Sequence, residues 1–270
     1  MKKVALGVVF LLIASLLQAQ TRETRNVETF TKISYRMAGK LYLKQGSAQK
    51  VELEGPADVL REVETEVKSG KLIIGKEGRW MNWNWNDRDR INIYITVKDL
   101  EALSVSGSGD LIGEGKFITG NLDLNVSGSG KLQLEFSANG NVEADVSGSG
   151  DVDIKGTCNN FDSDVAGSGN VKLAVTVQNI ADLGVSGSGK IVAEGSAREI
   201  RTKVSGSGKV LAGRMSATTC NVRISGSGDV EINVKEELDV SISGSGNVTY
   251  TGDPARVNSH ASGSGHVRKR

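Results

Sequence analysis

Apolar and polar residues alternate along much of this chain. Residues 121–126 (NLDLNV) and 229–234 (DVEINV) are clear examples, because every second position carries Val, Leu or Ile. A period of two residues places the apolar side chains on one face of a β-strand and the polar ones on the other. The pattern therefore predicts short strands, each with one buried face.

A four-residue motif interrupts this alternation at regular intervals. SGSG, or AGSG in one copy, occurs nine times, and successive copies begin 18 to 21 residues apart. The residue before the motif is Val or Ile in eight of the nine copies, and the second residue after it is always Val, Ile or Leu. A repeat of this length with a fixed register indicates a solenoid. We predict an all-β fold, a parallel β-helix of about nine coils of ~20 residues, with a strand on each side of every SGSG corner.

The glycines of the motif suit a tight corner. They adopt backbone angles closed to other residues and let successive corners approach closely. The second serine occurs in all nine copies, which predicts a hydrogen-bonding ladder at that position. The predicted corner glycines are Gly107, Gly109, Gly128, Gly130, Gly148, Gly150, Gly167, Gly169, Gly187, Gly189, Gly206, Gly208, Gly226, Gly228, Gly244, Gly246, Gly263 and Gly265.

The first third of the chain lacks the motif. Its alternating pattern still predicts strands, which we expect to cap the N-terminal end of the β-helix and cover the open sheet edge. One helix is predicted from residue 58 to about residue 68, because Leu60 and Val67 belong to an apolar stripe with helical spacing. Residues 69–70 (SG) supply its stop signal.

The first residues have the pattern of a signal peptide. Two lysines precede an apolar run at residues 4–17, which is too short to span a bilayer comfortably, and Ala19 offers a cleavage site. No second apolar stretch follows, and the net charge of the chain is +1, so we expect no membrane span after cleavage and no nucleic-acid partner. Export leads to the periplasm or to the extracellular cell surface. The predicted divisions are 1–19, signal peptide; 20–98, β-rich capping segment; and 99–270, β-helix repeat domain.

The two cysteines do not fit a disulfide framework. Cys158 and Cys220 lie three coils apart, which is about 14 Å along a parallel ladder. A disulfide requires Cα atoms within about 7 Å of each other. Both are therefore predicted to be buried thiols.

All three tryptophans fall in one polar segment, residues 77–90 (EGRWMNWNWNDRDR). Trp80, Trp83 and Trp85 offer rigid contact area with a polar handle, which suits stacking on a sugar or docking of a partner protein. The alternative is that they fold back over the cap as part of its core. Both interpretations stay open at this point.

Carboxylates recur in two outward columns of the predicted coils. Stacked at ladder spacing they repel one another, and a bound divalent cation such as Ca²⁺ would relieve that cost. The alternative is a solvated face. The next coils carry Arg201, Lys203 and Arg223, so acidic and basic patches adjoin and could guide assembly of copies. The candidate cation ligands are Asp123, Glu143, Asp145, Asp162, Asp164 and Asp182.

The repeated V-S-G-S-G corners, the secretion signal and residues 50–60 and 67–74 resemble the autotransporter adhesin, head GIN domain family, which is best represented in Bacteroidetes. The resemblance covers about residues 25 to 265. It implies a β-helix similar in outline to pectin lyases and an adhesive role, with no catalytic residues to carry over.

The residues themselves agree with a non-catalytic role. The chain has only His260 and His266 as histidines, and it lacks the G-x-S-x-G and H-E-x-x-H motifs. We therefore predict an exported β-helix protein, not an enzyme, that adheres to, binds or scaffolds a protein or glycan at the cell envelope, and that could form a homo-oligomer. The alternative is a protein that binds or degrades polysaccharide on its β-helix face. Apart from weak Ca²⁺ binding, no cofactor is expected.

Overall fold

A computed structural model describes residues 21–75 and 91–270, so the predicted signal peptide lies outside the described residues. Strands make up most of this part of the chain. The elements are β1 (Thr21–Thr24), β2 (Lys32–Tyr35), β3 (Lys40–Gln45), β4 (Lys50–Gly55), α1 (Ala57–Leu60), β5 (Thr65–Lys68), β6 (Lys71–Ile74), β7 (Asn92–Val97), β8 (Ala102–Val105), β9 (Asp110–Thr119), β10 (Leu122–Val126), β11 (Lys131–Ala138), β12 (Asn141–Gly148), β13 (Asp151–Cys158), β14 (Asn160–Gly167), β15 (Asn170–Val177), β16 (Ile180–Gly187), β17 (Lys190–Gly206), β18 (Lys209–Gly226), β19 (Asp229–Gly244), β20 (Asn247–Thr251), β21 (Arg256–Ser262) and β22 (His266–Lys269).

The predicted parallel β-helix is confirmed. Strands that enter the SGSG corners pair in parallel from turn to turn, and so do the strands that leave them. Nine corners bound about eight turns of the solenoid. We call the ladder that enters the corners the front sheet; it contains β6, β2, β8, β10, β12, β14, β16, the second halves of β17, β18 and β19, and β21. The back sheet contains β7, β3, β9, β11, β13, β15, the first halves of β17, β18 and β19, β20 and β22.

The corners stack through their backbone. The amide of Ser168 donates a hydrogen bond to the carbonyl oxygen of Gly148 at 2.9 Å, and equivalent bonds recur from turn to turn. The predicted serine ladder is therefore formed by the backbone N–H. Gly167 has φ of +129°, and a Cβ on Gly169 would lie 2.5 Å from Val146 Cγ1 of the preceding turn. Both glycines are thus required, the first by its backbone angle and the second by close approach.

The core runs along the inside of the solenoid. The Val or Ile before each of the first eight corners, such as Val126, Val146 and Val165, is buried, as the sequence pattern predicted, whereas Ala261 before the last corner is exposed. Cys158 and Cys220 are free and buried, which confirms the thiol prediction. Burial raises the pKa of both thiols to about 12, so neither is a reactive nucleophile at neutral pH.

The N-terminal strands join the same parallel ladders, but out of chain order. Strand β2 lies between β6 and β8, and β3 lies between β7 and β9. The antiparallel strands follow beyond this end, with β4 against β7, β1 against β4, and β5 against β6. The division of the chain at residue 99 stays a prediction.

The length predicted for the helix is wrong. The helix covers only Ala57–Leu60, and Thr65–Lys68 forms strand β5 instead. Ser69 and Gly70 both have positive φ, at 51° and 72°, and they turn β5 back onto β6 as a hairpin. The spacing of the valines fitted a helix, but antiparallel pairing with β6 satisfies the backbone of this segment.

Candidate functional site

The front sheet brings the six predicted carboxylates together. In the first column Asp123 pairs in register with Glu143, Glu143 with Asp162, and Asp162 with Asp182. In the second column the amide of Asp164 donates a hydrogen bond to Oδ1 of Asp145 at 3.1 Å. Period-two alternation turns both columns outward, so four consecutive turns present an acidic strip.

The acidic strip has an electrostatic cost in the folded protein. Burial, followed by the charges of Asp182 and other carboxylates, raises the pKa of Asp162 to about 6. The charge of Asp145 raises the pKa of Glu143, whereas burial is the main cause for the raised pKa of Asp145 and of Asp182. These shifts all disfavour the ionised form, which is the expected result for like charges at ladder spacing.

On the back sheet, carboxylates form ion pairs with lysines. Lys155 pairs with Glu135 at 2.9 Å, and Lys209 pairs with Asp229 at 2.8 Å, each across adjacent turns. In the described part of the chain, none of the six front-sheet carboxylates forms an ion pair within 4.0 Å. The repeat therefore pairs carboxylates with cations on the back sheet and also on the front sheet at Glu199 and Glu237, whereas the six carboxylates of the acidic strip have no such partner within 4.0 Å in the described part of the chain.

The carboxylates do not form a ready-made metal site. Across residues 21–75 and 91–270, no group of three or more His, Cys, Asp or Glu side chains is arranged to hold a metal ion. Calcium binding by the acidic strip stays a prediction.

An asparagine ladder, which the sequence analysis missed, borders the acidic strip. The backbone N–H of Asn141 donates to Oδ1 of Asn121 at 2.9 Å, and the side-chain Nδ2 of Asn160 donates to Oδ1 of Asn141 at 2.9 Å. At the adjoining bend, Nδ2 of Asn159 donates to the carbonyl oxygen of Asn139 at 2.8 Å. The sequence contains the signal, because asparagine stands six residues before the corner in three consecutive repeats.

One large apolar side chain is exposed beside this ladder. Ile118 is 65% exposed. Its backbone is fixed by the side chain of Gln45, whose Oε1 accepts from the Ile118 amide at 2.8 Å and whose Nε2 donates to the Ile118 carbonyl at 3.0 Å. The apolar surface is therefore held in place rather than left on a loose loop.

These features surround one long groove of about 1520 Å³. Lys32 and Lys71 lie at its N-terminal end, and Lys32 pairs with Glu101 at 3.6 Å. The asparagine ladder, Ile118 and the first acidic column line the remainder. Amides, carboxylates and a fixed apolar surface together can bind a polyhydroxylated or charged ligand.

Beyond the acidic strip the front sheet becomes basic. Asp182 pairs in register with Arg201, and Lys203 pairs in register with Arg223. Within its own turn, Arg201 also forms an ion pair with Glu199, in which Nε donates to Oε1 at 2.6 Å. The predicted adjoining acidic and basic patches are thus present on one sheet.

The tryptophan segment cannot be placed. Trp80, Trp83 and Trp85 lie outside the described residues. The residues on either side of that segment belong to the corner region near β2, because the Arg36 amide donates to the Ile74 carbonyl at 2.9 Å and the Lys40 amide donates to the Ile91 carbonyl at 3.2 Å. Ligand binding by the tryptophans stays a prediction.

The fold and its outward columns define a β-solenoid protein with a long polar face. The family model described as "Putative auto-transporter adhesin, head GIN domain" matches residues 29–190 and 165–254. The chain belongs to this family. The description of the family indicates secretion or a surface location and binding to proteins or surface molecules, and it names no enzymatic activity. Within the described ranges, no helix is long and apolar enough to cross a membrane.

Solved structures share the fold. A protein described as a putative lipid binding protein from Parabacteroides distasonis has a TM-score of 0.71 at 23% identity, over 93% of this chain and 97% of that one. A putative adhesin from the same species also has a TM-score of 0.71, at 20% identity and the same coverage. A putative adhesin from Bacteroides fragilis has a TM-score of 0.54 at 23% identity, over 94% and 98% of the two chains. Comparison with curated proteins gave no match.

Proposed function

We propose that this protein is an exported, non-catalytic adhesin that binds a glycan in the front-sheet groove at the cell envelope. The observation that carries this role is the combination of a long groove, an asparagine ladder and a fixed, exposed Ile118. Sugars present hydroxyl groups and flat apolar faces, and amide side chains beside an apolar contact are complementary to both.

The shape of the groove also fits a polymer. Its walls repeat from turn to turn along the solenoid, at about 4.8 Å for each turn. An elongated chain lying along the axis would meet similar groups at each turn, which increases affinity through repeated weak contacts. The alternative predicted function, degradation of polysaccharide, requires a general acid and a general base that flank one cleavage point.

Thermal unfolding of the residue 20–270 chain against a glycan panel tests this role. The double variant Lys71→Ala with Ile118→Ser removes one charge and the apolar contact from the groove, and Lys172→Ala on the back sheet is the matched control. We expect a glycan that stabilises the parent and the control but not the groove variant. Equal stabilisation of all three proteins, or no stabilisation by any glycan, would exclude the groove as a glycan site.

The same assay tests the predicted tryptophan site. Loss of glycan stabilisation in a Trp83→Ala and Trp85→Ala variant, with the groove variant unaffected, would move the site to that segment. Loss in both would indicate a ligand that contacts both regions.

Apolar residues favour a lipid as a second candidate ligand. Ile73, Ile118 and Ile180 all line the groove, and Lys32 and Lys71 could hold an anionic headgroup. Co-sedimentation with vesicles of anionic and of neutral lipid tests this candidate. A lipid is favoured over a glycan if the parent sediments with the anionic vesicles and the Lys71→Ala and Ile118→Ser variant does not.

A further inference from the structure

The outer face of the front sheet changes charge sign at one boundary. Strands β12, β14 and β16 carry the acidic residues, and the second halves of β17 and β18 carry Arg201, Lys203 and Arg223. Gly184 stands between Asp164 and Lys203 in the second column, and the Asp164 carboxylate occupies the space over Gly184. We call the outward residues of β12, β14, β16 and the second halves of β17, β18 and β19 the charged face.

The charged face is complementary to itself in one orientation. A two-fold axis parallel to the solenoid axis would set each turn against the same turn of a second copy, so carboxylates would oppose carboxylates. A two-fold axis parallel to the strands, at the boundary between β16 and β17, reverses the order of turns and keeps each position along the strand. Asp182 then faces Arg201 of the second copy, and Asp164 faces Arg223 of the second copy.

Two-fold symmetry makes each of these contacts twice, because residues that face each other in an isologous interface do so reciprocally. We propose that the charged face binds the charged face of a second copy, with the two solenoids antiparallel. Asp164 and Asp182 then each gain a cationic partner from the second copy, in addition to the Arg201 that adjoins Asp182 within one chain. Like charges meet only at the margin, where Glu143 of one copy faces Asp239 of the other.

The area suits a stable dimer. Eight-residue strands such as β14 span about 26 Å, and six turns at ladder spacing span about 29 Å. The resulting footprint is about 750 Å² on each copy, or about 1500 Å² in total, which lies within the range of standard protein interfaces. Charged pairs dominate this surface, so association should weaken with salt.

The dimer leaves the proposed glycan site partly open. It covers the groove over β12, β14 and β16, including Asn141 and Asn160 of the asparagine ladder, whereas Lys32, Lys71 and Ile118 lie outside the charged face. Two antiparallel copies would present two such open ends in opposite directions. The inference does not rest on glycan binding, since the two are tested with different residues and different measurements.

Sedimentation equilibrium with charge-swap variants tests the dimer. The acidic variant is Asp164→Lys with Asp182→Lys, and the basic variant is Arg201→Glu with Arg223→Glu. Every central contact becomes repulsive when either variant pairs with itself, and every one becomes attractive when the two variants are mixed. At about 50 mM salt we expect the dissociation constant of each variant alone to rise about tenfold or more, and the mixture to recover the parental value.

The matched control for the acidic variant is Asp151→Lys with Asp153→Lys on the back sheet, which changes net charge by the same amount and should leave dimerisation unchanged. Circular dichroism of each variant establishes that it is folded. A parent that stays monomeric at all concentrations in low salt overturns the inference. So does a dimer that the front-sheet variants leave intact, or one that the mixture fails to restore.

Discussion

Replacing Asp162 by asparagine tests whether partial burial and the neighbouring carboxylates make ionisation of Asp162 unfavourable in the folded protein. Burial and neighbouring carboxylates raise the pKa of Asp162 from 3.8 to about 6. This difference corresponds to about 3 kcal/mol of unfolding free energy. Because the Asp162 side chain is only partly buried and keeps more than about a third of its surface in solvent, screening reduces the expected effect to about 1 kcal/mol.

The direction of the effect follows from proton linkage. The folded protein binds the Asp162 proton more tightly than the unfolded chain does, so protonation favours folding. The stabilisation that results is complete below the unfolded pKa of 3.8 and is lost as the pH rises through about 6. Asparagine cannot ionise, so its advantage over aspartate should be largest above pH 6 and vanish below about pH 4.

Thermal unfolding followed by circular dichroism at a series of pH values measures this difference. At about pH 7.5 the variant should unfold about 2–4 °C above the parent, and at about pH 4 the two should coincide. Asp153→Asn is the control, because Asp153 pairs in register with Lys172 on the back sheet and should gain nothing at neutral pH. A gain for Asp162→Asn that is the same at both pH values would show that amide hydrogen bonding, not removal of the negative charge, stabilises the variant.

Three further changes test the corners, the groove and the core. Gly169→Ala should destabilise the protein by about 1–3 kcal/mol because the new Cβ meets the preceding turn, whereas Ser168→Ala at an exposed position should stay within about 0.5 kcal/mol in chemical denaturation. Gln45→Ala removes both bonds to the Ile118 backbone, and amide exchange at Ile118 should accelerate while the corner amides keep their protection. The two buried thiols should react with a thiol reagent only after unfolding; labelling of the native protein would contradict their burial.

Much of the solenoid could be predicted because its signals are local and repeated. Three signals recur in one register: the Val or Ile before most corners, the glycines within each corner and the alternation around it. A misread single position therefore does not change the predicted fold. The same register predicts Asp123, Glu143 and Asp162 in one column, and the strand pairing confirms it.

Features that depend on contacts distant in sequence could not be predicted. The clamp between Gln45 and Ile118 joins residues 73 positions apart, and nothing in either local pattern indicates it. The order of turns at the N-terminal end could not be predicted either, because β2 inserts between β6 and β8 although β6 follows it in the chain. The prediction of the helix length failed for a local reason, since a few valines between polar residues fit a helical stripe or one face of a short strand equally well.

The difference between the two sheets bears most directly on function. Both sheets come from one repeat, and the back sheet shows that this repeat readily places a lysine opposite a carboxylate, as with Lys155 and Glu135. The front sheet instead stacks carboxylates over four turns, and the pKa values of Asp162 and Glu143 are raised there. Stability alone favours compensation on both sheets. A surface that keeps an uncompensated strip beside a basic one is therefore better suited to binding than to stabilising the monomer, and the charge-swap experiment measures whether the partner is a second copy.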